Sequence, residues 1–508
     1  MNALTATSPE PRRGLIVICV MLATIMQALD TTIANVALPY MQGSLSVTID
    51  QVSWVLTSYI VAAAIMTAPA GWLAVRYGRK RVFVISAVGF TVASMLCGTA
   101  QGINDMVLYR MLQGVFGAAL VPLSQAIMMD VYPPEKRGQA MAIWGMGVML
   151  GPIMGPTLGG WLTDSYSWRW VFLINLPFGI ATVAGLLAFL PDSKPREMGF
   201  DWMGFITLSL AIGVFQLMLD RGETLGWFDS NEILLEAIIA GAAAYLFLAH
   251  TATAQRPFIP PALFKDWNFT LGVFFMFIVG ILILATIALV TPFVQNVLGY
   301  PVLSAGFLLG TRGVGTMLSM MVVGRLLRTV DARLLIALGL ALSTLTLWIM
   351  SGITTDISRF TIIWTSVVQG IGLGLIFVPL NTVAFATLSP MLRTEATAIW
   401  TLIRNLGSSI GVSIVIAELS STTTAMHARL AEYVTPFSAG FQLGNVPLLD
   451  PATDQGLALI DRMVTGQAVI ISYQNDFLLM ALMGVITTPL IFAFRMRKMP
   501  VEAKLAGA

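Results

Sequence analysis

The chain is poor in charge and nearly devoid of histidine and cysteine. Only 11% of its 508 residues are charged, against roughly 25% in ordinary soluble domains. A soluble protein of this length would divide into about three domains, each with its own polar surface. Too few polar side chains exist to coat them, so water is excluded as the main solvent. The formal net charge of +2 excludes a strongly basic nucleic-acid binder. The two cysteines, Cys19 and Cys97, both lie in apolar runs, which leaves no disulfide framework and no CxxC metal site. The two histidines, His250 and His427, supply no metal-ligand set, and no clustered His, Cys or carboxylates mark a membrane enzyme. No GxxxxGK[ST] loop is present, which excludes an ATP-driven pump. No cleavable signal peptide is evident, because the first apolar run (Gly14 to Leu38) is too long for a signal core and lacks a clear cleavage site.

What is present in abundance is apolar sequence, 57% of the chain. A helix needs about 20 apolar residues to cross a hydrocarbon core of about 30 Å. Such runs occur near 14–38, 53–74, 82–100, 106–129, 138–161, 170–190 and 202–219. Seven more lie near 232–253, 269–292, 304–326, 333–352, 360–383, 397–418 and 476–495, predicting fourteen spans. Backbone groups cannot go unpaired in lipid, so these runs are helices, and the short alternating segments of a β-barrel are absent. With the N-terminus inside, 20 of the 28 Lys and Arg residues fall in inner segments and five outside. Arg110, Arg312 and Arg404 fall within spans. That asymmetry predicts both termini on the cytoplasmic side, consistent with an even number of spans.

Comparing the chain with itself at an offset of 256 residues reveals an internal repeat. Gln113-Gly114 matches Gln369-Gly370, and Pro134-x-x-Arg137…Ala140-x-Ala142-Ile143-Trp144 matches Pro390-x-x-Arg393…Ala396-x-Ala398-Ile399-Trp400. Gly151 and Gly155 match Gly407 and Gly411. The offset covers an even number of helices, so the two copies have the same orientation, and the last span aligns only after an insertion of about 50 residues. The expected architecture is all-α and polytopic, with fourteen transmembrane helices arranged as 6 + 2 + 6. An N-terminal six-helix bundle occupies 1–190, two additional helices with linkers 191–265, and a C-terminal six-helix bundle 266–508 with an extracytoplasmic loop at 419–475. Two like-oriented bundles rocking about a midplane cavity is a transporter arrangement. The segment Gly440 to Asp454 is expected to be irregular, and either passive or placed over the cavity mouth or a partner.

Asp30, in the tract Leu29-Asp30-Thr31-Thr32-Ile33-Ala34-Asn35-Val36-Ala37-Leu38-Pro39, puts a carboxylate inside the first span. Ionised Asp costs about 2.5–3.5 kcal/mol at the centre of a membrane helix, so it should face the bundle interior and either take a proton or pair with a cation. The alternative is a structural Asp bonded to Thr31 or Thr32. Arg110 stays charged in any protein setting. It can tune a nearby carboxylate, hold an anionic or polar substrate, or anchor one helix to another. The fifth span carries Gly151, Pro152, Gly155, Pro156, Gly159 and Gly160; glycines four apart admit a close helix neighbour, and prolines bend the helix, which suits a gate. Gly71-Trp-Leu-Ala-Val75-Arg76-Tyr-Gly78-Arg79-Lys80-Arg81 is a basic inner loop. It either sets topology and meets anionic lipid or locks a closed state through ion pairs. Candidate cavity residues are Asn35, Gln125 and Asn381, the repeat-related Trp144 and Trp400, and the intramembrane Arg312 and Arg404; each polar one could equally serve helix packing.

Together these motifs resemble the major facilitator superfamily, specifically its fourteen-span drug:proton antiporters of the EmrB/QacA type. The tract from Leu29 to Pro39 resembles that family's first-span signature, Gly71 to Arg81 its loop motif, and Arg110 to Ala119 its fourth-span motif. Gly151-x₃-Gly155-Pro156-x₂-Gly159-Gly160 is similar to the fifth-span motif of antiporters. Trp168 to Pro177, Leu219 to Gly222 and Arg404-Asn405-Leu-Gly407 also resemble stretches of this branch. One departure is Val75, where the loop motif usually carries an acid. The resemblance implies the fold of that superfamily, proton coupling through Asp30 assisted by Arg110, and export of hydrophobic or cationic compounds from a bacterial cytoplasmic membrane. It implies no cofactor beyond the proton motive force. It also implies, for some members, a periplasmic membrane-fusion protein and an outer-membrane channel as partners. The rival expectation is a dedicated exporter of one metabolite, amino acid or siderophore on the same fold.

Overall fold

The structure is a computed structural model that describes residues 10–193, 195–197, 199–255, 257–435 and 453–495. Among the described residues there is no strand. The helices are α1 (Glu10–Leu45), α2 (Ile49–Tyr77), α3 (Arg79–Thr99), α4 (Ile103–Gly117), α5 (Leu120–Val131), α6 (Arg137–Ser165), α7 (Trp170–Leu173) and α8 (Asn175–Phe189). There follow α9 (Trp202–Leu225), α10 (Asn231–Thr253), α11 (Trp267–Pro292), α12 (Val302–Leu326), α13 (Ala332–Met350), α14 (Arg359–Ala384), α15 (Arg393–Ala431) and α16 (Asp454–Thr487). Thirteen helical stretches among the described residues are long and apolar enough to cross a membrane, and the bent α6 brings the number to fourteen. The chain is a multi-pass membrane protein.

The helix ends follow from local chemistry. Thr48 opens α2 with a capping box shared with Gln51, and Ser358 and Asp331 cap α14 and α13 with their side-chain oxygens. Asp201 caps α9 by accepting from the Gly204 amide at 2.9 Å, and it also accepts from the Phe258 amide and lies 2.8 Å from His250 Nε2. Burial opposes ionisation of Asp201, but these hydrogen bonds outweigh it and leave its carboxyl below the usual range. The fourth span breaks into α4 and α5 at Ala118-Ala119, and α6 bends by 40° between Arg137–Gly155 and Thr157–Ser165. A proline such as Pro156 has no N–H to donate to the preceding turn, which accounts for a bend there. The side chains of Pro152 and Pro156 lie outside the described residues.

One expected feature differs in the structure, and a second was left open by the sequence. The segment 419–475, read from sequence as a loop, is largely helical: α15 runs on to Ala431 and α16 begins at Asp454. At about 1.5 Å per residue, helices of 39 and 34 residues exceed a core of about 30 Å and must project from it. Hydropathy misses such extensions because a helix in water needs no apolar run. The irregular stretch expected at Gly440 to Asp454 falls mostly on 436–452, outside the described residues. The second feature is the place of α9 and α10. Helix α9 packs against α2 and α15, so it bridges the first and second halves of the chain, while α10 packs chiefly on α9. Ser413 of α15 donates to the Leu219 carbonyl of α9 at 3.2 Å.

Glycines set the closest helix approaches. A Cβ built on Gly151 would lie 2.3 Å from the Ala28 carbonyl oxygen of α1, and one on Gly155 would lie 2.1 Å from Thr32 Oγ1. The repeat-related Gly407 of α15 meets the Phe277 carbonyl of α11 at 2.2 Å in the same way. Gly160 has nothing within 4 Å of such an atom, and the nearest neighbour of Gly159 is at 3.3 Å. Gly151→Ala is therefore expected to destabilise the protein by about 1–3 kcal/mol through overpacking, while Gly160→Ala leaves its thermal midpoint unchanged. Equal midpoints for the two variants would overturn this account. Asp201 adds a pH dependence. Its folded pKa is depressed, so its contribution is present above the ordinary carboxylate range and fades as pH falls through the folded value. Asp201→Asn should lower the thermal midpoint at neutral pH, and the deficit should shrink in acid.

Candidate functional site

Asp30 of α1 is 1% exposed and Arg110 of α4 is fully buried. Their side chains meet in a bidirectionally supported ion pair, with Arg110 Nη1 donating to Asp30 Oδ2 at 2.8 Å. The other carboxylate oxygen accepts from Gln113 Nε2 and Asn175 Nδ2, each at 2.8 Å. Arg110 also donates to Gln113 Oε1 at 2.7 Å and to the Val55 carbonyl of α2 at 3.1 Å. Its guanidinium lies 4.3 Å from the ring centroid of Tyr59. Asn175 begins α8 and donates in addition to Ser94 Oγ of α3, which itself donates to the Phe172 carbonyl. Five helices thus converge on one carboxylate. Local sequence explains part of this: Gln113 follows Arg110 by three residues on the same helix face.

Beside this pair a cavity of about 350 Å³ lies between the halves of the chain. Gln27, Thr31, Thr32 and Asn35 of α1, Tyr59 of α2, and Arg110 border it from the first half. Ile283, Phe377, Thr401, Leu402, Arg404 and Asn405 border it from the second. Gln216 of α9 joins the wall, so one of the two additional helices contributes to the cavity. Asn35 donates to the Thr31 carbonyl and retains its oxygen on the cavity side of α1. Arg404 makes one weak hydrogen bond, to Asn405 Oδ1 at 3.3 Å, and has no carboxylate partner among the described residues.

The remaining candidates sit elsewhere. Gln125 donates to Asn381 Oδ1, joining two fully buried residues that are repeat counterparts. Trp144 donates from Nε1 to Ser124 Oγ at 2.8 Å and stacks on Phe377, whose far side borders the cavity. Trp400 packs on Phe269 and Phe385. Both indoles are 1% exposed, because Phe377 and the α11 to α14 packing cover them. Arg312 does not border the cavity and donates to the Ile283 carbonyl at 3.4 Å.

Beyond Gln125 and Asn381, towards the basic loops, the halves close on each other. Asp130 at the end of α5 pairs with Arg79 of the basic loop and with Arg393 of α15, the latter at 3.0 Å. A Cβ on Gly71 would lie 2.8 Å from Glu395 Cα, which requires glycine there. Gly78 adopts a φ of +94°, a conformation suited to glycine, and the next amide, Arg79 N–H, donates to Ser193 Oγ at 2.6 Å. The Val75 carbonyl accepts from the Arg196 amide at 2.9 Å, and no described partner pairs with Arg76. An acid is absent at position 75, and Asp130 is the acid that pairs with both Arg79 and Arg393. Sequence reading missed Asp130, Gln113, Asn175 and Gln216. Of these, Gln113 and Asn175 carried a signal, the first in the Arg110 motif and the second in the stretch from Trp168 to Pro177.

Comparison with known proteins agrees with this arrangement. The Major Facilitator Superfamily model matches residues 20–412. Multidrug export protein EmrB of Escherichia coli (strain K12) is 34% identical over 465 residues, covering 91% of each chain. Fatty acid resistance protein FarB of Neisseria gonorrhoeae is 33% identical over 475 residues, 93% of this chain and 94% of FarB. Among solved structures, the proton:xylose symporter XylE superposes with a TM-score of 0.61 over 96% of both chains at 14% identity, a likeness of fold alone. With its buried ion pair, its central cavity and a family match across most of its length, the chain belongs to the major facilitator superfamily, in the branch that contains EmrB.

Proposed function

We propose that the protein is a proton-driven multidrug antiporter that exports hydrophobic compounds across the bacterial cytoplasmic membrane by alternating access. The observation that carries this reading is that Arg110 belongs both to the buried pair with Asp30 and to the cavity wall. A proton on Asp30 removes the negative half of that pair, and Arg110 must then find its partner from the cavity side. Cargo and proton thereby compete for one guanidinium, which is the requirement of antiport. No cofactor takes part; the proton motive force supplies the energy.

The distribution of basic residues puts both termini and the Asp130 closure on the cytoplasmic side. The cavity then lies towards the outside of that closure, as in an outward-facing state, with two six-helix bundles rocking about it. The projecting parts of α15 and α16 offer folded surface on the outer side for a membrane-fusion protein that leads to an outer-membrane channel. The wall narrows the cargo further. Arg404 is cationic and lacks an acid opposite it, and the one carboxylate at the site is held by Arg110. Hydrophobic compounds that are neutral or acidic fit this state, in keeping with the resistance named for FarB. Cationic compounds require Asp30 to be released first.

Asp30→Asn offers one acceptor where three donors converge, and it leaves Arg110 without its counter-charge. Breaking such a pair costs about 3–5 kcal/mol. The variant should insert with a lowered thermal midpoint and show no drug efflux in vesicles with an imposed pH gradient. Unchanged efflux would remove Asp30 from the mechanism. For cargo, Arg404→Gln should weaken binding of an acidic lipophile by about tenfold, or about 1.4 kcal/mol, with little effect on a neutral one of equal size. Tryptophan-fluorescence titration of the purified protein reads both, and equal losses would refute the assignment of charge selection to Arg404.

A further inference from the structure

The second repeat lacks the ion pair of the first. At the offset that relates the repeats, Asp30 corresponds to Thr286, Arg110 to Ser366, Gln113 to Gln369 and Ser94 to Met350. Thr286, Ser366, Gln369 and Met350 all border one small cavity of about 20 Å³, together with Thr346, Thr365 and Phe477. This is the counterpart of the Asp30 site with its charges removed, and it has room for about one water molecule. Phe477, which closes it from α16, corresponds to Phe172 of the first repeat once the insertion is allowed for.

The residue next to Phe477 is Asp476. It is fully buried, and neither carboxylate oxygen accepts a hydrogen bond from any described residue. Its setting is otherwise apolar and like-charged. From α15 the facing charge is Glu418, an acid, which accepts from Thr422 Oγ1 at 2.9 Å and is exposed. From its own helix the titratable neighbour is Tyr473, packed on Phe293. Helix α13 carries one charged residue, Arg333, which donates to the Phe494 carbonyl near the inner end, and α11 carries none. The remaining charges of α16, Asp454, Asp461 and Arg462, lie at least three turns before Asp476. An ionised carboxylate with no donor, no cation and an acid nearby is the least tolerable group in a protein interior.

We infer that Asp476 is a second proton-binding carboxyl, protonated in this conformation and reached from the outer side past the exposed Glu418. The ligand is a proton, and the site is independent of the Asp30–Arg110 pair. In the first repeat a carboxylate meets three donors. In the second a carboxyl is kept neutral by the lack of any.

Dicyclohexylcarbodiimide reacts with protonated carboxyls in apolar surroundings, so it tests this on the full-length wild-type protein. Peptide mass spectrometry at neutral pH should find the adduct on Asp476, and Asp30→Asn should not diminish it. Asp476→Asn mimics the protonated form, and it should bind one proton fewer per chain when unbuffered purified protein is titrated through the neutral and alkaline range. Glu418→Gln should keep the Asp476 adduct and shift its loss to lower pH by removal of the like charge. Absence of the adduct from the wild type, or an unchanged proton count in Asp476→Asn, would overturn the inference. Loss of efflux in Asp30→Asn with the Asp476 adduct intact separates the two carboxyls.

Discussion

The structure depends on the cost of holding Asp30 as an anion where water is absent. Three hydrogen bonds from three side chains meet its two oxygens, and the donors come from two other helices: Arg110 and Gln113 from α4, Asn175 from α8. Arg110 in turn ties α2 through the Val55 carbonyl, and Asn175 ties α3 through Ser94. The first half of the chain is therefore organised around one charge. Replacing a buried pair by apolar residues is often neutral or stabilising, so such a pair is weak evidence for stability and better evidence for a switch. In the proposed mechanism the switch is protonation, because neutral Asp30 no longer repays the burial of Arg110.

A second constraint comes from duplication. Residues that correspond in the two copies face each other across the seam, so a single polar pair on the axis joins both halves. Gln125 and Asn381 are such a pair. Gln125 Oε1 has no described partner, and Trp400 Nε1, the counterpart of the bonded Trp144 Nε1, has none either. Each copy thus keeps an unpaired buried polar atom, and the copies differ in which one it is. The copies share backbone packing, as Gly151 and Gly407 show, while their chemistry has diverged.

Much of this was legible in the sequence, and for definite reasons. Apolar runs long enough to span a bilayer report helices directly, and Asp30 and Arg110 stand out because charge in such a run demands a partner. That they partner each other was not legible, since two intervening spans and a packing arrangement separate them. Asn175 lay in a family-like stretch and Gln216 in none, but neither amide carries a sequence mark that says which helix it will meet. The extensions of α15 and α16 escaped because helices in water carry no hydropathy signal. Asp476 was read as the first residue of the last span, at the water boundary; the continuous α16 carries it into the interior.

Alternating access requires that contacts within each half be harder to break than contacts between them, and the placement of close approaches meets that condition. Within the first half, Gly151 brings α6 against the backbone of α1 at mid-span, and within the second Gly407 and Gly280 do the same for α15 and α11. Such backbone contacts leave no slack, because packed interiors shift between discrete arrangements and do not stretch. Between the halves, the backbone approaches at Gly71 with Glu395 and at Gly324 with Gln139 lie near the basic loops, beside the ion pairs of Asp130. At mid-span Gly313 faces only the side chain of Ile153, which can turn aside. Asp130 and Arg393 are mostly buried, with side chains 13% and 8% exposed, so opening this end must hydrate both charges. The closure can therefore open by trading Asp130–Arg393 for water, while each half keeps its glycine-packed core and carries its own carboxyl through the motion.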